Sequence, residues 1–88
     1  MYEFVLYVSK SNQQTEKSFN FVNTSLKKNL NDNFHLSLIN VVDYPEEANK
    51  DNILMTPTLV KKIPLPIKKI IGDMSKIESI IDTLIQHE

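Results

Sequence analysis

Lysines, prolines and a single glycine crowd the stretch from Asp51 to Ser75, and such residues can do the chemistry of recognition. Lys61 and Lys62 precede Pro64-Leu65-Pro66, and Lys68 and Lys69 follow Ile67. Two prolines so close forbid a continuous helix and make a hairpin the simplest local conformation. A two-residue turn sets Lys61 opposite Lys68. A three-residue turn sets Lys62 opposite Lys68 and Lys61 opposite Lys69. Either register opposes like charges, at a cost of roughly a few tenths of a kcal/mol to 1 kcal/mol. Lysines placed this way serve either as a solvated edge that discourages aggregation or as a docking surface for an acidic patch on a partner protein. Gly72, followed by Asp73, lies between a strand and a helix, where a positive φ is plausible and a simple turn glycine explains it equally well.

Residues for bond-making chemistry are scarce. The 88 residues contain no cysteine, which excludes a disulfide framework, a thiolate zinc site and every thiol mechanism. His35 falls on a predicted strand and His87 near the end of the chain, too far apart in sequence to suggest a metal or general-base pair. One glycine cannot build a phosphate loop. Ser9, Ser11 and Thr15 lack any motif that sets a base beside them. The adjacent Glu46 and Glu47 point different ways on a helix and read as a solvated helix start. No cofactor is implied. A formal net charge of −1 gives no drive toward nucleic acid or acidic membranes. No apolar run approaches the ~20 residues of a membrane span and no signal peptide opens the chain, so the cytosol is the expected compartment.

The elements that would carry these residues follow from periodicity. Tyr2 to Val8 is aromatic and β-branched, apolar on both faces, and predicts an interior strand. Ser9 to Gln14 is a polar loop. From Thr15 to about Leu30, Phe19, Val22, Leu26 and Leu30 form one helical stripe. Phe34 to Val42 predicts a second strand, parallel to the first because a long helix joins them. Pro45-Glu46-Glu47-Ala48 suits the first turn of a short helix that Asp51-Asn52 interrupts. Thr58 to Ile63 and Ile67 to Ile71 predict the hairpin. Ser75-Lys76-Ile77-Glu78 has the form of a capping box. It opens a helix whose Ile77, Ile80, Ile81, Leu84 and Ile85 share a face. With 41% apolar residues and no visible repeat or second domain, residues 1–88 are expected to form one globular α/β domain of order βαβαββα.

That order is the thioredoxin-like arrangement. Met55-Thr56-Pro57-Thr58-Leu59 resembles the step before the third strand of such domains, where the bond before the proline matching Pro57 is typically cis. The loop that holds the catalytic cysteines of thioredoxins reads Ser9-Lys10-Ser11-Asn12-Gln13-Gln14 here, so redox activity is absent from the expectation.

The whole run Ile53-Leu54-Met55-Thr56-Pro57-Thr58-Leu59 through Ile63-Pro64-Leu65-Pro66 to Ile70-Ile71-Gly72-Asp73-Met74-Ser75 closely resembles the KaiB family of circadian clock proteins. The family pattern is Ile-Leu-x-Thr-Pro-Thr-Leu, Leu-Pro-x-Pro, two basic residues and Ile-Ile-Gly-Asp-Leu-Ser. Leu6-Tyr7-Val8 and Leu36 to Val41 extend the match weakly. The resemblance implies a non-enzymatic regulator that binds a hexameric KaiC-type ATPase and autokinase. It also implies KaiA or a clock-associated histidine kinase as further partners, in circadian or related timing and stress systems. It further implies fold switching, between a tetrameric ground state with a rearranged C-terminal half and a thioredoxin-like monomer that binds KaiC. Under it, Lys17, Lys61, Lys68 and Lys69 are the expected partner-binding residues. Pro57, Pro64, Pro66, Gly72 and Asp73 are the residues tied to structure and switching. Val5 and Ser37 stand where family members generally carry lysines. The β-branched residues and prolines between Thr58 and Ile71 resist the helix of the ground state, so the thioredoxin-like form is the expected one. The competing expectations are a sensor domain of a clock-associated histidine kinase and, far behind it, a thioredoxin-superfamily enzyme.

Overall fold

A computed structural model of the chain describes residues 1–85. Four strands form one mixed sheet in the order β2-β1-β3-β4. β1 (Tyr2–Val8) runs parallel to β2 (Phe34–Asn40) and antiparallel to β3 (Thr58–Ile63), and β4 (Lys68–Ile71) closes the hairpin on β3. β1 is therefore an interior strand, as its two-sided apolar character predicts. Phe4, Leu6 and Val8 face the larger core with Val22 and Leu26 of α1 (Gln13–Leu30), Leu59, and the C-terminal Ile77, Ile81 and Leu84. Tyr7 faces the smaller core, with Val60 and with Ala48 of α2 (Pro45–Lys50).

α1 starts two residues before the predicted Thr15. Asn12 caps it, its side chain accepting the Thr15 N–H at 3.1 Å, which satisfies one of the donors that a helix start leaves open. Asn31, at φ +56°, ends it. β2 stops at Asn40, short of the predicted Val42. The Asn40 side chain accepts the Val42 N–H at 2.8 Å and the Asn40 carbonyl accepts the Tyr44 N–H at 2.9 Å. An asparagine that bonds its own downstream backbone turns the chain out of the ladder.

The C-terminal helix differs most from its expectation. The Ser75–Glu78 capping box does not form. Asp73 takes the capping role, accepting the Ser75 N–H at 2.9 Å ahead of a 3₁₀ turn at Met74–Lys76. α3 then spans only Ile77–Ile80 before a second 3₁₀ turn at Ile81–Thr83. The cause lies in the side chains. Isoleucines and threonine are stiff at χ1 and lose freedom in a helix. Ser79 and Thr83 also donate to the carbonyls three residues back, Lys76 and Ile80, which tightens the turns. The apolar face survives: Ile77, Ile81, Leu84 and Ile85 are buried, while Ile80 is partly exposed.

Candidate functional site

The hairpin adopts the register of a two-residue turn, with Lys61 directly opposite Lys68 and Val60 opposite Lys69. The bonds before Pro57, Pro64 and Pro66 are all cis, the first of them as the thioredoxin-like resemblance implies. Around the tip, Ile63, Leu65 and Ile67 are exposed. Strand alternation then sends the lysines to opposite sides of the sheet. Lys68 turns toward the C-terminal segment, donating from Nζ to the Thr83 carbonyl at 3.2 Å. Lys69 turns the other way, toward the Asn52 carbonyl at 3.4 Å. Both stay accessible at the sheet edge.

Lys61 does not join that surface. It shares the inner face of β3 with Leu59 and is 0% exposed. Its Nζ has no hydrogen-bond partner among the described residues. Burial lowers its pKa, and the Lys68 ammonium lowers it further. In this conformation Lys61 presents no charge to a partner. The expectation that all three hairpin lysines line one docking face is therefore corrected, because β3 is an interior strand at this point and buries one face entirely.

Lys62 carries the network that sequence reasoning missed. It has no opposite number on β1, where Phe4 pairs Lys61 and Glu3 pairs Ile63; such a bulge re-aims a side chain. Lys62 Nζ donates to both Asp51 oxygens, at 2.5 and 2.7 Å, and the Tyr7 hydroxyl donates to Asp51 Oδ2. Burial alone would raise the Asp51 pKa. The hydrogen bonds from Lys62 and Tyr7 and the charges of Lys62 and Lys69 outweigh it and hold the carboxyl below its ordinary value. Burial, with the Asp51 hydrogen bond and nearby negative charge, pushes the Tyr7 hydroxyl far above the usual phenol range. The triad fastens the end of α2 to β1 and β3. Its only signal in the sequence is a carboxylate straight after a helix end.

Gly72 and Asp73 form the joint after the hairpin. Gly72 has φ +120°, a region that L side chains rarely adopt, although a Cβ there would meet no atom within 4 Å. Its N–H donates to the Pro57 carbonyl at 3.1 Å, tying the end of β4 to the loop before β3. The Ser75 backbone and side chain hydrogen-bond Asp73 and hold its carboxyl below its ordinary range. Lys17 is exposed on α1 and lines a groove of about 510 Å³ with Phe21, Lys28, Ile77 and Glu78. Across the groove, Ser25 Oγ donates to Glu78 Oε2 at 2.5 Å and Lys28 lies 3.4 Å from Glu78 Oε1. The Ser25 hydrogen bond, with the charge of Lys28, lowers the Glu78 pKa. Lys17 and Lys68 thus both border the C-terminal segment, whereas Lys69 belongs to the α2 side.

His35 is exposed on β2, and His87 lies outside the described residues. Among the described residues no group of three or more His, Cys, Asp or Glu could hold a metal, and no helix is long and apolar enough to cross a membrane. The described residues thus present cationic and apolar surfaces.

Comparisons with known proteins agree on the kind of domain. A family model described as the KaiB domain matches residues 5–84. The circadian clock oscillator protein KaiB of Thermosynechococcus vestitus is 35% identical over 80 residues, covering 91% of this chain and 74% of that protein. The circadian clock protein KaiB3 of a Synechocystis species is 30% identical over 76 residues, covering 86% of this chain and 74% of the relative. Among solved structures, the N-terminal domain of Synechococcus elongatus SasA superimposes with a TM-score of 0.76 at 20% identity, over 94% of this chain and 77% of that one. The germline-specific thioredoxin Deadhead of Drosophila melanogaster gives 0.71 at 14% identity, over 96% and 81%. These two structures establish the thioredoxin-like fold alone.

Proposed function

The chain belongs to the KaiB family, and from that premise we propose that it is a non-enzymatic regulator that docks on a KaiC-type ATPase and modulates its phosphorylation cycle. The observation that carries the reading is the family match over residues 5–84, which spans the whole hairpin and the Gly72-Asp73 joint. Lys68 and Lys69 supply accessible positive charge at the sheet edge, beside the exposed apolar tip formed by Ile63, Leu65 and Ile67. Charged rims raise association rates and select partners, while apolar centres supply most of the affinity. Lys17, on α1, extends the basic surface across the C-terminal segment. The chain acts in the cytosol as a single domain, monomeric in its thioredoxin-like form.

The proposal includes fold switching of the half after Asp51. Two features support it: Gly72 supplies a joint that tolerates a backbone turn closed to other residues, and the buried Lys61, without a partner among the described residues, burdens the thioredoxin-like packing. A refolded C-terminal half that frees this amine would gain what the present packing forgoes.

Native mass measurement of the chain mixed with a KaiC-type ATPase tests the reading. A discrete complex with the hexamer is expected. Its absence at micromolar concentrations, with the chain shown folded by circular dichroism, refutes the proposal.

A further inference from the structure

We propose that the cavity at the head of α1 binds a small oxyanion. The cavity, about 240 Å³, opens where the end of β1, the first turns of α1 and the Thr56-Pro57 loop meet. It holds unused hydrogen-bond donors and lacks acidic side chains to satisfy them.

Three independent features converge there. First, the cap of α1 leaves donors open. The Asn12 side chain takes the Thr15 N–H, and the Asn12 carbonyl takes the Glu16 N–H. The amides of Gln13 and Gln14, ahead of them, have no partner within the helix. α1 is 18 residues long, so its N-terminal turn carries the positive end of a full macrodipole. Second, Ser18 lines the cavity one turn further in and is only 8% exposed, yet its hydroxyl makes no hydrogen bond to any described residue. Its donor and acceptor capacity is therefore available to a ligand in the cavity. Neighbouring Thr15 does have a partner, donating to the Lys10 carbonyl at 2.5 Å. Third, the walls are biased toward donation. Ser9 Oγ accepts from Thr56 at 3.0 Å, so its own proton is free for a ligand. Among the described residues, Lys10 is the only charged one in the lining, and no carboxylate contributes to it. The acid of the first turn, Glu16, lines a separate groove with Phe19 and Leu36.

The Gln14 amide, the Ser9 and Ser18 hydroxyls and Lys10, all at residues that line one cavity, match a group with several acceptor oxygens and a negative charge. A phosphate or a carboxylate has that chemistry. The site lies at the opposite end of β3 from the hairpin tip, so it is separate from the docking surface proposed above and does not depend on it.

The test is a titration of ¹⁵N-labelled full chain, followed by amide chemical shifts at constant ionic strength. One arm uses inorganic phosphate. A second uses a short neutral peptide with a free C-terminal carboxylate, and a third the same peptide amidated. Saturable shifts confined to Ser9 through Ser18 and to Thr56 through Thr58 are expected in the first or second arm but not in the third. Saturation by phosphate identifies a free-anion site; saturation by the carboxylate peptide alone identifies a peptide terminus. Ser18→Ala, which removes one hydroxyl and leaves the helix intact, should weaken binding about fivefold. Lys10→Gln should weaken it about tenfold. Absence of saturable shifts in both anion arms overturns the proposal. So does saturation by the amidated peptide, or binding that neither substitution weakens.

Discussion

Replacing Lys61 with methionine should stabilise the thioredoxin-like form, contrary to the usual outcome of a core substitution. Lys61 is fully buried on the inner face of β3, opposite Phe4 on one side and Lys68 on the other, and its ammonium nitrogen has no partner among the described residues. An unsatisfied buried polar group costs about 1–3 kcal/mol. Methionine keeps an unbranched chain of similar reach in the same space and removes the amine. The expected gain at pH 7 is about 2 kcal/mol, which for a domain of this size raises Tm by about 10 °C. The pH dependence supplies a second readout. Burial lowers the affinity of Lys61 for a proton in the folded chain, so below the ordinary lysine value of 10.5 the unfolded chain binds the proton more tightly. Stability of the parent therefore falls as pH drops from 10.5 toward the lowered folded value and stays flat in this respect below it. Lys61→Met abolishes that slope, and its advantage shrinks toward pH 10.5. Thermal unfolding followed by circular dichroism between pH 6 and 10 measures both effects. An unchanged or lowered Tm in Lys61→Met, with an alkaline slope identical to the parent's, would show that the buried amine carries no such cost. Lys61→Ala separates the amine from the alkyl chain: it removes the same charge but leaves a cavity, and should gain less.

Asp51→Asn should cost roughly 2 kcal/mol by urea unfolding, less than for a fully buried pair because the Lys62 side chain is 35% exposed. Because the folded Asp51 pKa is lowered, its contribution is present above the ordinary carboxylate value of 3.8 and is lost as pH falls through the lowered folded value, so acid unfolding of Asp51→Asn should be shallower than the parent's. Gly72→Ala should cost about 1–3 kcal/mol through backbone strain alone, since φ is +120° and a Cβ meets nothing; a thermal scan with no loss of Tm contradicts this. Ser25→Ala should cost about 1 kcal/mol by cutting the link from α1 to Glu78, and amide hydrogen exchange should quicken first in the Met74–Ile80 turns.

Much of this architecture is legible in the residues. Periodicity places β1, α1, α2 and β3 within a residue or two, and two prolines with flanking β-branched runs place the hairpin. The break in the C-terminal helix was hidden, because the Ser75-Glu78 spacing imitates a capping box. Only tertiary packing shows that Glu78 goes to Ser25 and that Asp73 does the capping. At the site, the positive φ of Gly72 was signalled by residue type, and the cis bond before Pro57 only by the resemblance to thioredoxin-like domains. The fate of Lys61 was not: four lysines around a turn look equivalent in sequence, and only the register and the sheet order decide which one is buried. The Tyr7–Asp51–Lys62 network joins residues 44 and 11 positions apart, a separation at which local pattern carries no information.

In the proposed function, accessible hairpin lysines dock this KaiB-family chain on a KaiC-type ATPase. Equilibrium titration of fluorescently labelled chain with that ATPase, comparing the parent with the Lys68→Glu/Lys69→Glu double variant, addresses it most directly. Saturable binding by the parent, and an affinity about tenfold or more weaker in a double variant of unchanged circular dichroism, is the expected result. Binding that is absent from the parent, or equal in both proteins, would contradict it.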